Sequence, residues 1–406
     1  MGSLAPETSR KPLHEVMPPL IAGTATFNSQ YVSDPFNPEV LPALSIVSRA
    51  LELGINAFDT SPYYGPSETI LGSALAHPSN ASRYPRESYF LVTKAGRIAG
   101  DSFDYSAAWV RYSVLRSLER LHTSYLDLVY MHDVEFVSAD EVLGAVSELR
   151  RLRDEGLIRY VGISGYPVGV LCGLAERVLE ETGEPLDAVL SYGHFTVQNA
   201  TLGGAAVLRR FEDAGVDVVL NASMLGMGLL TTRGADAGPM KEWHPSPGAL
   251  RGAVKDLVAV ARAAGEKLEV VAIRWALDSW ARDGSRLGVH SPWVPGGAKL
   301  GVSVMGVTNV PELEETWRVF RSVVEGYGAS PSSAEAAEAH AWSLERRSKI
   351  GGLVEKMWEV LGEWKDYSWS SPDAGFVNTR RKEDKGTFPK DDGIYEKYEK
   401  YFPSRS

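Results

Sequence analysis

The chain has 406 residues, 44% of them hydrophobic, and a formal net charge of −10. That length exceeds one average domain but suits a single (β/α)8 barrel, which takes roughly 250 residues before insertions. The acidic balance argues against nucleic-acid or anionic-membrane partners, which select a basic face, and no apolar run approaches the roughly 18 residues that span a bilayer.

Residues 1–19 lack the apolar stretch of a signal peptide and read as an N-terminal arm. A myristoylation signal at Met1-Gly2 is disfavoured because Pro6 stands where Ser or Thr is required. The region 20–328 then alternates short β-branched runs with helix-period stretches. The predicted strands are Leu20–Phe27, Asn56–Asp59, Phe90–Lys94, Leu126–His132, Tyr160–Ser164, Ala188–Tyr192, Val216–Ala222 and Val302–Val307. Between them fall helical segments such as Val40–Leu53, Thr69–Ala76, Ser106–Leu121, Ala139–Glu155, Pro167–Glu181, Ala205–Ala214 and Leu257–Ala264. Gly54, Gly156, Gly183 and Gly215 follow four of these, where a left-handed stop is expected.

The strand runs are apolar throughout, as parallel strands covered on both faces should be. Eight of them predict a closed α/β barrel, with a doubly wound open sheet as the alternative. No G-x-G-x-x-G follows the first strand, which removes support for a Rossmann site. The long connection Leu229–Pro247, rich in Gly and Pro, is expected to cover a ligand at the barrel mouth.

The extension 329–406 opens with a helix-favouring stretch, Ser333–Trp364, and becomes turn-rich. Its Trp342, Trp358, Trp364, Trp369, Tyr395, Tyr398 and Tyr401 argue for a docked helix and a partly ordered tail. Arg380-Arg381-Lys382 reads as a solvated face. The single cysteine, Cys172, excludes an internal disulfide, fits a reducing cytoplasm and reads as a core residue. Cys172, His122 and His290 have no metal-ligand spacing, so no metal is expected.

Four polar residues carry the chemistry. Asp59 and Tyr64 follow the second strand run, and Lys94 and His132 end the third and fourth. In a parallel barrel, chemistry collects at these carboxyl ends. Reducing a carbonyl by hydride requires a proton on the developing alkoxide, and a free phenol is a weak acid at neutral pH. A neighbouring ammonium lowers the phenol pKa, a buried carboxylate holds the ammonium, and an imidazole orients the substrate oxygen.

The segments LELGINAFDTSPYYGPSETILGSAL, FLVTKAGR, LDLVYMHD, RYVGISGY and ASMLGMGLLT, in this order from about Leu20 to Phe320, resemble the aldo-keto reductase superfamily. The resemblance implies a barrel that binds a nicotinamide cofactor without a Rossmann domain. It implies Tyr64 as general acid/base, tuned by Lys94 and Asp59, with His132 orienting substrate. Tyr63 is excluded by the five-residue step from Asp59 to Tyr64 and by the Gly65 that follows. Substrate contacts are expected from Phe27, Tyr64, His132 and Asp133.

Cofactor contacts are expected from Gly23, Thr24, Asp59, Ser164, Gly165, Tyr192, Ser223, Leu225, Gly226, Gly228, Gly306, Val307, Thr308, Glu312, Glu315 and Thr316. The family pattern has Asn at position 165, Gln at 192 and a stacking Tyr at 222, where this chain has Gly165, Tyr192 and Ala222. These departures resemble the sugar-oxidising branch that includes D-arabinose and L-galactose dehydrogenases. Gly306 and Glu312 replace a Lys and an Arg that hold the 2′-phosphate in NADP-preferring members, so NAD is expected, with NADP as the alternative. The implied activity is oxidation of an aldose at C1 to its lactone. The alternatives are an NADPH-dependent aldehyde reductase and a cofactor-sensing regulatory subunit.

Overall fold

The computed structural model describes residues 10–294, 297–328 and 333–402. A short helix α1 (Leu13–Val16) leads into β1 (Leu20–Gly23), α2 (Ala43–Leu53), β2 (Ala57–Asp59), α3 (Ser67–Ala76) and α4 (Pro78–Ala81). The alternation continues through β3 (Phe90–Ala95), α5 (Ala107–Arg120), β4 (Leu126–His132), α6 (Ala139–Asp154), β5 (Ile158–Gly165) and α7 (Val168–Thr182). Next come β6 (Ala188–Tyr192), α8 (Ala205–Asp213), β7 (Val218–Ala222), α9 (Met240–Trp243), α10 (Gly248–Ala263) and α11 (Leu268–Asp283). A small antiparallel ribbon of β8 (Val289–His290) and β9 (Lys299–Leu300) precedes β10 (Val302–Gly306) and α12 (Val310–Glu325). Helices α13 (Ala334–Leu361) and α14 (Ile394–Lys397) lie in the C-terminal extension.

Eight parallel strands close in the order β1–β10–β7–β6–β5–β4–β3–β2, which excludes the open-sheet alternative. Alternate residues, among them Ile21, Val92, Leu128, Tyr130, Tyr160, Leu190 and Val304, fill the interior, while the other set packs under the helices. At Gly162 a Cβ would sit 2.6 Å from the Tyr130 ring and 2.5 Å from the Ala188 carbonyl, so glycine alone admits the tyrosine to the barrel. The predicted stop glycines all take positive φ, Gly54 and Gly183 as left-handed helix caps.

Three local expectations change. The first strand ends at Gly23 because Thr24 turns to bond the Asp59 carbonyl through both its N–H and its hydroxyl. Helix α11 was not foreseen. Its buried residues include Val271, Arg274, Leu277, Asp278 and Trp280 on several faces, since it lies between β10 and α13 and carries no single apolar stripe. The N-terminal arm is structured from residue 10 onward: Leu13 and Met17 belong to the interior cluster, so α1 floors the barrel. Residues 1–9 of that arm, with the Met1-Gly2 reading, lie outside the described residues. No described helix is long and apolar enough to cross a membrane.

The extension docks as predicted for its helix. Ile350, Val354, Met357 and Leu361 of α13 pack with α10 and α11, and Trp358 Nε1 donates to the Val197 carbonyl. The tail then wraps back over α5. Arg380 is not part of a solvated face: its guanidinium bonds Asp104, which is fully buried, and lies over Trp109. Asp104 also accepts the Gly386 N–H at 2.9 Å. Replacing Asp104 with Ala removes both tethers. Hydrogen bonds to charged groups are worth about 1.5–3 kcal/mol each, so trypsin should cut at Arg380–Lys390 well before the barrel. Equal cleavage kinetics in wild type and D104A would show that other contacts hold the tail.

Candidate active site

The site is assembled by strand ends that share one side of the barrel. Asp59 closes β2, and its register partner on β3 is Val92, so Lys94 projects one inward step higher. Lys94 in turn pairs with Tyr130 of β4, two residues before His132. The Lys94 ammonium donates to Asp59 Oδ1 at 2.6 Å and to the Thr60 carbonyl at 2.9 Å, and both side chains are buried. It lies 4.9 Å from the Tyr64 ring centroid. The Tyr64 and His132 rings meet edge to face at 5.6 Å. The four residues are therefore one contiguous group facing one cavity.

Burial first, against the Lys94 charge, raises the Asp59 pKa. Burial and then Asp59 push the Tyr64 phenol well above its ordinary value, with only Arg97 among its leading influences pulling it down. Lys94, paired with Asp59 at 2.6 Å, is not among those leading influences. Tyr64 is a neutral donor here. Burial lowers His132 to about 3, so its imidazole is neutral. Ser61 Oγ accepts the Tyr63 N–H at 3.1 Å and lies 3.0 Å from His132 Nδ1. The Asp133 carboxylate 3.7 Å from Nε2 favours the tautomer with its proton on Nε2, in which the Ser61 hydroxyl donates to Nδ1.

The cavity measures 1830 Å³, room for a dinucleotide together with a small substrate. Gly23, Asp59, Ser164, Tyr192, Ser223, Leu225, Gly228, Gly306, Val307, Thr308, Glu312, Glu315 and Thr316 line it, as do Tyr64, His132 and Asp133. Four expected contacts do not. Thr24 is buried in the β1–β2 turn with Ser67 Oγ on its hydroxyl, and Phe27 is a core residue 1% exposed. Gly165 faces Glu135 rather than the cavity: a Cβ there would lie 2.5 Å from Glu135 Oε2. Gly226 turns its carbonyl to His244 Nε2 at 2.9 Å.

The donor set suits a nicotinamide dinucleotide. Backbone and hydroxyl groups follow β7 and β10, Ser164 and Tyr192 stand near the tetrad, and carboxylates on α12 are available to ribose hydroxyls. Sequence reasoning missed Gln30, Tyr31, Arg97, Trp243 and the tail segment Trp369–Val377, all of which line the cavity. Arg97, three residues beyond Lys94, and the turn-rich aromatic tail were the available signals. The long connection after β7 contributes Thr231, Met240 and Trp243, so it does reach the mouth. Among the described residues no cluster of three potential metal ligands occurs.

The sequence profile of the Aldo/keto reductase family matches residues 19–325. The chain is 42% identical over 276 residues to D-arabinose 1-dehydrogenase of Saccharomyces cerevisiae, covering 67% of this chain and 79% of that one. It is 40% identical over 238 residues to L-galactose dehydrogenase of Arabidopsis thaliana, covering 58% and 70%. Among solved structures, glycerol dehydrogenase AKR11B4 from Gluconobacter oxydans superposes with a TM-score of 0.54 at 20% identity, covering 89% of this chain and 97% of that one. The holo form of aldo-keto reductase AKR11C1 from Bacillus halodurans gives 0.52 at 20% identity, covering 80% and 91%. Those two likenesses concern the fold. The closed barrel and the family match together place the chain among oxidoreductases that use a nicotinamide cofactor. The chain belongs to the aldo/keto reductase family.

Removing Lys94 strands the Asp59 carboxylate in the barrel. Breaking one side of a buried pair costs about 3–5 kcal/mol, so Lys94→Met should lower the Tm by several degrees. Asp59→Asn in the same chain should recover much of the loss. Additive losses in thermal denaturation of the two single variants and the double variant would mean that the pair is not coupled.

Proposed function

We propose that this protein is an NAD-dependent aldose 1-dehydrogenase, oxidising a sugar of the D-arabinose or L-galactose type at C1 to its lactone in the cytoplasm. The observation that carries the reading is the Asp59–Tyr64–Lys94–His132 group on one cavity wall, in a chain 42% identical to a D-arabinose 1-dehydrogenase. A bound nicotinamide would supply the acceptor for the hydride of C1. Ser164, Tyr192 and the backbone after β7 would hold it, and Glu312 and Glu315 would face the adenosine ribose.

Tyr64 takes the C1 hydroxyl proton in oxidation and returns it in reduction. His132 donates from Nε2 to the reacting oxygen and so selects its direction. Lys94 and Asp59 fix the electrostatic surroundings of the phenol without entering the bond changes. Because burial and Asp59 hold Tyr64 in its neutral form, the phenolate fraction grows about tenfold per pH unit below its pKa, and oxidation should accelerate with rising pH. Tyr64→Phe should lose at least roughly 10²-fold in kcat and lose that pH dependence, with cofactor affinity retained. Aldoses and aldehydes assayed with NAD and NADP in both directions test the assignment. Aldehyde reduction without aldose oxidation would sink it.

The cofactor preference rests on Glu312, whose neighbourhood offers no cation at Gly306. Its carboxylate closes the α12 cap, accepting the Thr308 N–H at 2.8 Å and the Thr308 hydroxyl at 3.0 Å. The same side chain lines the cavity, where it would repel a 2′-phosphate. Glu312→Arg should raise the NADP:NAD ratio of kcat/KM by about tenfold, on the order of 1–2 kcal/mol. A ratio that stays fixed in steady-state kinetics would reduce Glu312 to its capping role.

A further inference from the structure

Arg97 and Asp133 line the cavity beside His132, yet the hydride chemistry does not require them. Asp133 follows His132 in the left-handed region, at φ 57°, and is 1% exposed. Its Oδ2 accepts from Arg97 Nη1 and lies 3.7 Å from His132 Nε2, while its Oδ1 is buried without a hydrogen-bond partner. The remaining Arg97 donors reach the Ala99 and Gly100 carbonyls, and the guanidinium lies 3.8 Å from the Tyr63 ring centroid.

The charges around this end of the cavity are unequal. Lys94 is cancelled by Asp59 and Arg97 by Asp133, while the exposed carboxylates of Asp101 and Asp373 also line the cavity on the Arg97 side. Glu135, behind Asp133, is pushed up to about 8 by burial and by Asp133, so it adds no full charge at neutral pH. A substrate carboxylate entering here would meet a cation whose charge Asp133 already compensates, with Asp101 and Asp373 beside it.

We infer that Arg97 and Asp133 form a selectivity pair. The Asp133 charge cancels Arg97, so this wall of the cavity admits neutral sugars and offers no free cation to sugars bearing a carboxylate. This rests on the aldose-oxidising reading of the same site. Asn is the informative replacement at 133, because it tolerates the left-handed backbone, keeps the size and removes the charge. The released guanidinium is then a fork for a carboxylate.

The test uses the full chain with NAD and compares kcat/KM for L-galactose with that for D-galacturonate and D-glucuronate. Wild type should favour the neutral sugar at least a hundredfold. Asp133→Asn should raise the uronate-to-neutral ratio at least tenfold, chiefly through KM for the uronate, and adding Arg97→Gln should abolish the gain. Wild type that oxidises uronates as well as neutral sugars, or an unchanged ratio in D133N, overturns the inference while leaving the dehydrogenase reading intact. Wild type that oxidises no aldose overturns the reading and the inference with it. Should D133N fail to accumulate, inhibition of the wild type decides: a neutral galactonolactone should inhibit at a concentration at least tenfold below galacturonate, and equal or stronger inhibition by galacturonate overturns the pair.

Discussion

The buried contact between Lys94 and Asp59 is the constraint from which the rest of the site follows. At 2.6 Å, with side-chain exposures of 2% and 6%, neither charge survives in the barrel without the other. The pair exists only because β2 and β3 lie side by side in a register that turns both residues inward. A slip of one residue would send one of them under the helices, so strand register and chemistry are the same specification. The second donation of Lys94, to the Thr60 carbonyl, ties the ammonium to the turn that delivers Ser61 and Tyr64.

The pair acts on its neighbours through geometry and through the field of its carboxylate. Asp59 Oδ2 has no partner and its field contributes to holding the Tyr64 phenol neutral. The imidazole of His132 is neutral for a different reason, desolvation, and its Nδ1 is held by Ser61. Two neutral donors aimed at one point, fixed before substrate arrives, suit stabilisation of a developing alkoxide more than proton removal at neutral pH. The pH dependence proposed for oxidation follows from the same burial.

The eight strands were legible because each is a compact apolar run, and the tetrad because a charged or aromatic polar residue at the end of such a run has few structural excuses. What the sequence hid was direction and cover. Thr24, Phe27, Gly165 and Gly226 stand beside cavity residues in the chain but point elsewhere, and position along a motif does not encode which way a loop residue turns. Gly165 faces Glu135, thirty residues away, which only the fold brings to within 2.5 Å of where a Cβ would stand. Helix α11 was illegible for the opposite reason: covered on more than one side, it has no polar face to mark its period.

The tail shows how a segment beyond the family match becomes part of the site. Trp369 stacks on Tyr166 at 4.8 Å, Ser371 donates to Glu135 at 2.9 Å, and Phe376 packs edge to face on Phe103 and Phe136. Those partners follow β3, β4 and β5, the strands that carry Lys94, His132 and Ser164. Arg97 lies over Phe103 and Phe136 as well, so the tail and the Arg97–Asp133 pair rest on one aromatic base. The barrel sets the Asp59–Tyr64–Lys94–His132 group, and the extension completes the wall of the cavity beside it. Changes of substrate can then arise at the tail without disturbing the register that holds Lys94 to Asp59.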